Sequence, residues 1–178
     1  MKLEIPLTEE KVKQLRVGQQ VYLSGTIFTA RDAAHMKLIE LINSGKELPI
    51  PLSGQIIYYV GPAPARPGEV IGPAGPTTSY RMDPLTRPLL EQGLKAMIGK
   101  GKRSPEIIEA LQSYNCVYLA AVGGAAALIA ESITRSEIAA YPELGPEAIR
   151  KLEVKEFPAI VVNDVHGNDL YHQRSSIK

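Results

Sequence analysis

Three short apolar runs constrain this chain more than any other feature. QIIYYV (residues 55–60), VYLAAV (residues 117–122) and AIVVND (residues 159–164) are rich in β-branched and aromatic residues and too short for buried helices. Runs of this kind are strands whose two faces are both covered, as in a sheet with helices packed on it. Between them the period changes from that of strands to that of helices. In RDAAHMKLIELINSG, Ala34, Leu38, Leu41 and Ile42 recur at helical spacing, and Gly45 supplies the stop. Ser104-Pro105-Glu106 opens another helix with a capping side chain, a first-turn proline and an acid at the positive end of the dipole. Ile107, Ile108, Leu111 and Tyr114 form its apolar face.

Shorter signals fill the rest. Leu3–Pro6 reads as a strand, and Thr8 then caps a short helix that begins with acids. Gln20–Ala30 reads as a strand broken at Ser24-Gly25, and KAMIGKGKRS as a short strand with a glycine-rich exit. A helix is expected over Pro84–Gln92. VGGAAALIAESI reads as a glycine turn entering a small-residue helix, and LYHQ as an antiparallel return after the HGND turn. GPAPARPGEVIGPAGP concentrates ring-fixed residues between structured flanks. It is expected to be a rigid ordered loop, with EVIG as a small strand inside it, rather than a linker. The sum is one layered α/β domain with a mixed sheet over residues 1–178, without internal repeats.

The totals exclude several classes of function. The chain has 178 residues, 44% hydrophobic and 22% charged, with a formal charge of +1. That composition is globular, and the balance points to neither nucleic acid nor an anionic membrane as partner. No tract has the length and apolarity of a membrane span, and the start turns acidic within ten residues, unlike a secretory signal. The cytoplasm is the expected location. The single cysteine, Cys116, heads an apolar run and reads as a buried small hydrophobe. It can form no disulfide within the chain, and a cluster that needs several thiolates is not expected here. His35, His166 and His172 share no ligand spacing with it, so this chain is not expected to hold a metal by itself.

Three loops place a cation beside glycine or hydroxyls at the end of an apolar strand. In FTARDAAH, Arg31 stands where a strand gives way to a helix, and Asp32 suits that helix's positive end. The alternative is that Arg31 pairs with Asp32 or with a surface carboxylate. In GPTTSYRMD, Thr77, Thr78 and Ser79 offer hydroxyls in succession, and Arg81 adds a planar fork that matches a carboxylate. The alternative there is a hydroxyl-rich turn that caps the next helix. In IGKGKR, Lys100 lies between two glycines, and the alternative is an exposed basic turn. Taken together, Arg31, Arg81 and Lys100 with the three hydroxyls suit a small dianion such as a dicarboxylate, at strand ends where α/β sites lie.

The stretches TARDAAH, GPTTSYRMD, GKG, VGGAAAL and EFPAIVVNDVHGNDL together resemble the β subunit of two-chain class I fumarate hydratases and the related L(+)-tartrate dehydratases. In single-chain members this region is the C-terminal domain. The resemblance implies a swivelling β/β/α domain similar to the mobile domain of aconitase. It implies that Arg31, Arg81 and Lys100 contact the substrate and that Thr77 is the catalytic base. Asp32 and His35 then hold the loop that carries Arg31, and Asp83 supports Arg81 or caps the next helix. It also implies a 4Fe–4S cluster held by a cluster-bearing α subunit, assembly into αβ pairs, and reversible dehydration of a hydroxy-dicarboxylate, foremost (S)-malate to fumarate. The alternatives are an L(+)-tartrate dehydratase subunit and a non-catalytic anion-binding or assembly module.

Overall fold

The computed structural model describes residues 1–121 and 126–175. In chain order the elements are β1 (Lys2–Glu4), α1 (Glu9–Gln14), β2 (Gln20–Thr29), α2 (Asp32–Asn43), β3 (Ile56–Tyr58), α3 (Asp83–Glu91), β4 (Ala96–Gly99) and α4 (Pro105–Ser113). β5 (Val117–Ala121), α5 (Ala126–Ser132), β6 (Ile133–Ala140), β7 (Ile149–Asn163) and α6 (Leu170–Ser175) follow. Two 3₁₀ segments lie between them, Ser79–Met82 and Pro142–Glu147.

Strands β2, β3, β4 and β5 run parallel in that order. β7 pairs antiparallel with β5 and with β2, which closes a barrel of five strands. β1 adds to β2 in parallel, and β6 adds to β7 as an antiparallel edge. Closure explains why the apolar runs are continuous rather than alternating. Ile56, Tyr58, Ala96, Ile98, Val117 and Leu119 join one buried cluster with Leu23, Leu152 and Phe157. Ile57, Tyr59, Met97 and Tyr118, on the opposite face, join a second with Ala34 and Leu38 of α2, Leu89 of α3 and Leu111 of α4. Each strand is thus covered by the barrel interior on one side and by helices on the other. Burying one such Leu or Ile stabilises the fold by about 1.5–3 kcal/mol.

The expected helices form with their caps. Thr8 Oγ1 accepts from the Lys11 N–H, and Ser104 Oγ from the Ile107 N–H. The Gly-Pro loop is ordered, as expected. Tyr58, buried beside Phe157, donates its hydroxyl to the Ala74 carbonyl at 2.5 Å, and the Ala63 N–H reaches the Pro73 carbonyl. EVIG within it is not a strand: the Glu69 N–H closes a turn on the Arg66 carbonyl, and residues 70–72 form a bend. Nor is β2 broken at Ser24-Gly25: it runs on through a register shift against β7. LYHQ does not return as a strand. It lies in α6, whose start Asp169 caps by accepting from the Tyr171 N–H, and the antiparallel return shrinks to one bridge between Asn163 and Asp169. The expected turn at Val122-Gly123-Gly124 falls outside the described residues. Among the described residues, no helix is long and apolar enough to cross a membrane.

The parallel strands set up the site. Because β2, β3 and β4 point the same way, the chain leaves all three at the same end of the barrel. Arg31 follows β2, Gly61 follows β3 and Lys100 follows β4.

Candidate active site

A small backbone ladder holds two of the three cation-bearing loops together. Thr77 donates its N–H to the Tyr59 carbonyl at 2.7 Å, and its own carbonyl accepts from the Lys100 N–H at 3.3 Å. The Ser79 N–H then reaches the Lys100 carbonyl at 2.9 Å, and Thr78 pairs with Lys100 as a parallel bridge. The Thr77–Ser79 segment therefore sits against the exits of β3 and β4. Close packing here requires Gly99, since a Cβ at that position would stand 1.9 Å from Ser79 Oγ.

The third loop arrives from β2. Arg31 is extended (φ −144°) and leads into α2. Its guanidinium lies over Gly61, where a Cβ would come within 2.7 Å of Arg31 Cζ. Its Nε is 3.3 Å from a Glu147 oxygen but makes no hydrogen bond among the described residues, while Glu147 accepts from the Ala33 N–H at 3.4 Å. The surface-carboxylate alternative for Arg31 thus holds, with Glu147 and not Asp32 as the neighbour. Asp32 instead grips Arg81 with both oxygens: Nε lies 3.3 Å from Oδ1, and Nη2 contacts Oδ2. Partial burial raises the Asp32 carboxyl, but the hydrogen bond and charge of Arg81 outweigh it and hold the group below its ordinary value. Arg31 and Arg81 are therefore fixed beside consecutive residues at the start of one helix.

His35 is fully buried and edge-on to Tyr59. Its backbone N–H and Nδ1 both meet the Arg31 carbonyl, so Nδ1 carries the proton and the imidazole is tied to the Arg31 backbone. Nε2 is buried without a partner among the described residues. Burial pushes the imidazole down to about 4, against the raising effect of the Arg31 carbonyl. The unfolded chain therefore takes up a proton here as pH falls from about 6.5, while the folded chain does not. The stability lost between pH 6.5 and 4 is about 3 kcal/mol. Denaturant midpoints should show a steeper loss over this window for the native chain than for His35→Gln; equal slopes would contradict the assignment.

Lys100 is exposed, and its ammonium has no partner among the described residues. The Thr77 hydroxyl is likewise unengaged among them. Two expectations need correction. Ser79 is buried, and its hydroxyl meets Tyr118 Oη at 2.8 Å, so it faces the domain interior and not a ligand. Asp83 supports neither Arg81 nor a cap: its carboxylate takes Arg103 Nε at 2.5 Å and the Ser104 N–H at 2.7 Å. Arg103, Glu147 and Gly61 were not singled out from the sequence. In GKGKR nothing separates Arg103 from the exposed Lys102 except that it directly precedes a helix cap. Glu147 comes from a distant segment with no motif around it. A cleft of about 640 Å³ adjoins the ladder, lined by Thr78, Tyr80, Asp83, Lys102, Arg103 and Ser104 among others. It takes in neither Thr77 nor the cations at 31, 81 and 100; of these Arg81 and Lys100 are exposed, and Arg31 and Thr77 are half-buried.

The Gly61 contact yields a test. In Gly61→Ala the methyl group must displace the end of a flexible side chain, which is cheap for the fold but moves the Arg31 guanidinium. Thermal stability should change by less than about 1 kcal/mol, while affinity for a dicarboxylate falls about tenfold or more. Unaltered affinity would remove Arg31 from the site.

The family described as "Fumarase C-terminus" matches residues 1–174. A Methanocaldococcus jannaschii protein, provisionally named L(+)-tartrate dehydratase subunit beta, is 43% identical over 94% of this chain and 89% of its own length. The anaerobic class I fumarate hydratase of Escherichia coli is 44% identical over 92% of this chain, which corresponds to 30% of that enzyme. The aerobic class I fumarate hydratase of Salmonella typhimurium is 42% identical over 98% of this chain and 31% of its own length. The chain thus matches nearly all of a subunit named beta and under a third of these two fumarate hydratases. A match across the chain and a relative of like length agree: this protein belongs to the fumarase C-terminus family.

Proposed function

We propose that this chain is the β subunit of a hydro-lyase that reversibly dehydrates a hydroxy-dicarboxylate, foremost (S)-malate to fumarate, in company with a cluster-bearing α subunit. The observation that carries the reading is the gathering of Arg31, the Asp32–Arg81 pair, Thr77 and Lys100 on the face at one end of the barrel, in a member of this family. Such a face is half a site. A second protein laid over it would exclude water and strengthen every charge contact.

In this reading each residue has a role set by its chemistry. Arg31 and Arg81 present planar forks to the substrate carboxylates, and Lys100 a compact ammonium. Those cations also stabilise the negative charge that builds when a proton leaves the carbon next to a carboxylate. Thr77 relays that proton: its oxygen accepts it while the hydroxyl's own proton passes to a carboxylate of the partner. Its peptide is pinned at both ends, by Tyr59 and Lys100, so its hydroxyl is aimed rather than free. The Thr78 hydroxyl orients a carboxylate oxygen. Asp32 and His35 act only through the arginines they hold. The barrel with its two cores moves as one body, in the manner of the aconitase mobile domain.

The residues of this chain do not fit an iron–sulfur cluster. Cys116 is buried, its thiol is pushed up to about 12 by burial, and it donates to the Leu94 carbonyl. We assign the 4Fe–4S cluster to the partner, where it supplies Lewis-acid chemistry. One observation favours L(+)-tartrate over malate: the relative of matching length is the one named for tartrate dehydratase. The test is to co-purify this chain with its natural partner without oxygen and compare turnover of (S)-malate, fumarate and L(+)-tartrate. The first reading predicts that malate and fumarate exceed tartrate in kcat/KM by tenfold or more. The reverse order would assign tartrate, and no turnover would leave only an anion-binding or assembly role.

A further inference from the structure

A chain with a formal charge of +1 has no general need to bury an arginine, yet the Arg103 side chain is 0% exposed. Apolar residues of similar volume often serve stability as well as a buried ion pair, so a buried guanidinium asks for another reason. Its contacts supply one. Nε reaches Asp83 at 2.5 Å, Nη2 reaches Thr86 Oγ1 at 2.8 Å, and Nη1 lies 3.4 Å from Tyr59 Oη. Cζ stands 5.5 Å from the centre of the Tyr59 ring and 5.1 Å from that of Tyr118. Three of these four partners lead directly to the candidate site. Asp83 comes two residues after Arg81. Tyr59 offers the carbonyl that takes the Thr77 N–H. Tyr118 donates its hydroxyl to the Gly101 carbonyl at 3.0 Å, next to Lys100, so the Ser79 hydroxyl must donate to Tyr118. Arg103 itself ends the loop that carries Lys100.

We propose that Arg103 is a positioning residue: from inside the domain, its fork sets the spacing between the Thr77–Arg81 segment and the Lys100 loop. The proposal rests on the hydro-lyase reading for its catalytic consequence, but not for its structural one. A lysine in its place keeps the charge, yet one ammonium cannot hold Asp83, Thr86 and Tyr59 in the same plane. A misplacement of about 1 Å is enough to cost a hundredfold in rate.

The experiment compares native chain, Arg103→Lys and the double variant Arg103→Met/Asp83→Asn, which removes both charges together and so leaves no buried ion unpaired. Amide hydrogen exchange is read on each full chain, and kcat and KM on each chain paired with its partner, using (S)-malate and L(+)-tartrate. Exchange at the Ser79 and Lys100 amides should quicken at least tenfold in both variants, with the amides of β5 and β7 unchanged. With Arg103→Lys, kcat for the acid that is turned over should fall at least tenfold, with a smaller change in KM. Native exchange at Ser79 and Lys100, equally faster exchange at all amides, or loss of the fold in the double variant would overturn the proposal. A native pair that turns over neither acid would defeat the hydro-lyase reading instead, and the exchange result would still decide the positioning role.

Discussion

Replacing Thr77 by alanine is expected to lower kcat of the assembled pair by about 10²–10⁴-fold, the range that one positioned proton-transfer group contributes. Stability should barely change, because the hydroxyl holds nothing among the described residues and the peptide on either side keeps its bonds to Tyr59 and Lys100. The threonine is a weak base by itself, and the cations facing the same surface make its role tenable by favouring the deprotonated oxygen. The check is a steady-state comparison of native and Thr77→Ala pairs, alongside a thermal melt and a partner-binding assay. An intact complex with unchanged turnover would strip Thr77 of its role. Thr78→Ala serves as the control, since losing an orienting hydroxyl should raise KM more than it lowers kcat.

The second large effect concerns Arg81. Its pair with Asp32 is half-exposed, so solvent screens it and the fold depends little on it. Its bonds to a bound carboxylate would be charge-assisted and shielded by a partner, worth about 1.5–3 kcal/mol each. Two of them correspond to at least about a hundredfold in kcat/KM at 1.4 kcal/mol per decade. Arg81→Ala should therefore leave the melting temperature nearly unmoved while cutting kcat/KM by that factor. Arg81→Lys should recover only part, because an ammonium cannot serve Asp32 and a carboxylate as a fork does. A variant that melts early and still turns over normally would mean that the arginine belongs to the fold.

How much of this was legible in the sequence depended on where each signal lay. The strands at Ile56–Tyr58, Ala96–Gly99 and Val117–Ala121 announced themselves because both of their faces are buried. β6 gave no signal. It is an edge strand with most of its residues exposed, and the polar run Arg135, Ser136 and Glu137 leaves no apolar alternation to read. The first half of β7 was hidden for a related reason. Leu152 and Val154 alternate as a strand should, but Lys155 and Glu156 interrupt the pattern, and Glu156 takes a left-handed φ of 53° opposite the shift in β2. Barrel closure, which β7 provides, could not be foreseen without it.

The site divides in the same way. Arg31, Thr77, Arg81 and Lys100 sit in short loops with marked composition, and the structure brings those loops to one end of the barrel. Their supports were assigned less well. Whether Asp83 bonds to Arg81, two residues away, or to Arg103, twenty residues on, depends on the course of α3 and α4, which no local pattern encodes. Ser79 looked like part of a hydroxyl-rich cradle, but it opens the 3₁₀ segment Ser79–Met82, and its buried hydroxyl meets Tyr118 inside the domain.

The most direct measurement is a crystal structure of this chain with its cluster-bearing partner and a bound hydroxy-dicarboxylate. It should show Arg31, Arg81 and Lys100 all within hydrogen-bond distance of carboxylate oxygens of a single molecule, with the Thr77 hydroxyl beside its acidic carbon. A bound acid that touches none of the three cations, or three side chains that face separate patches of solvent, would contradict the account.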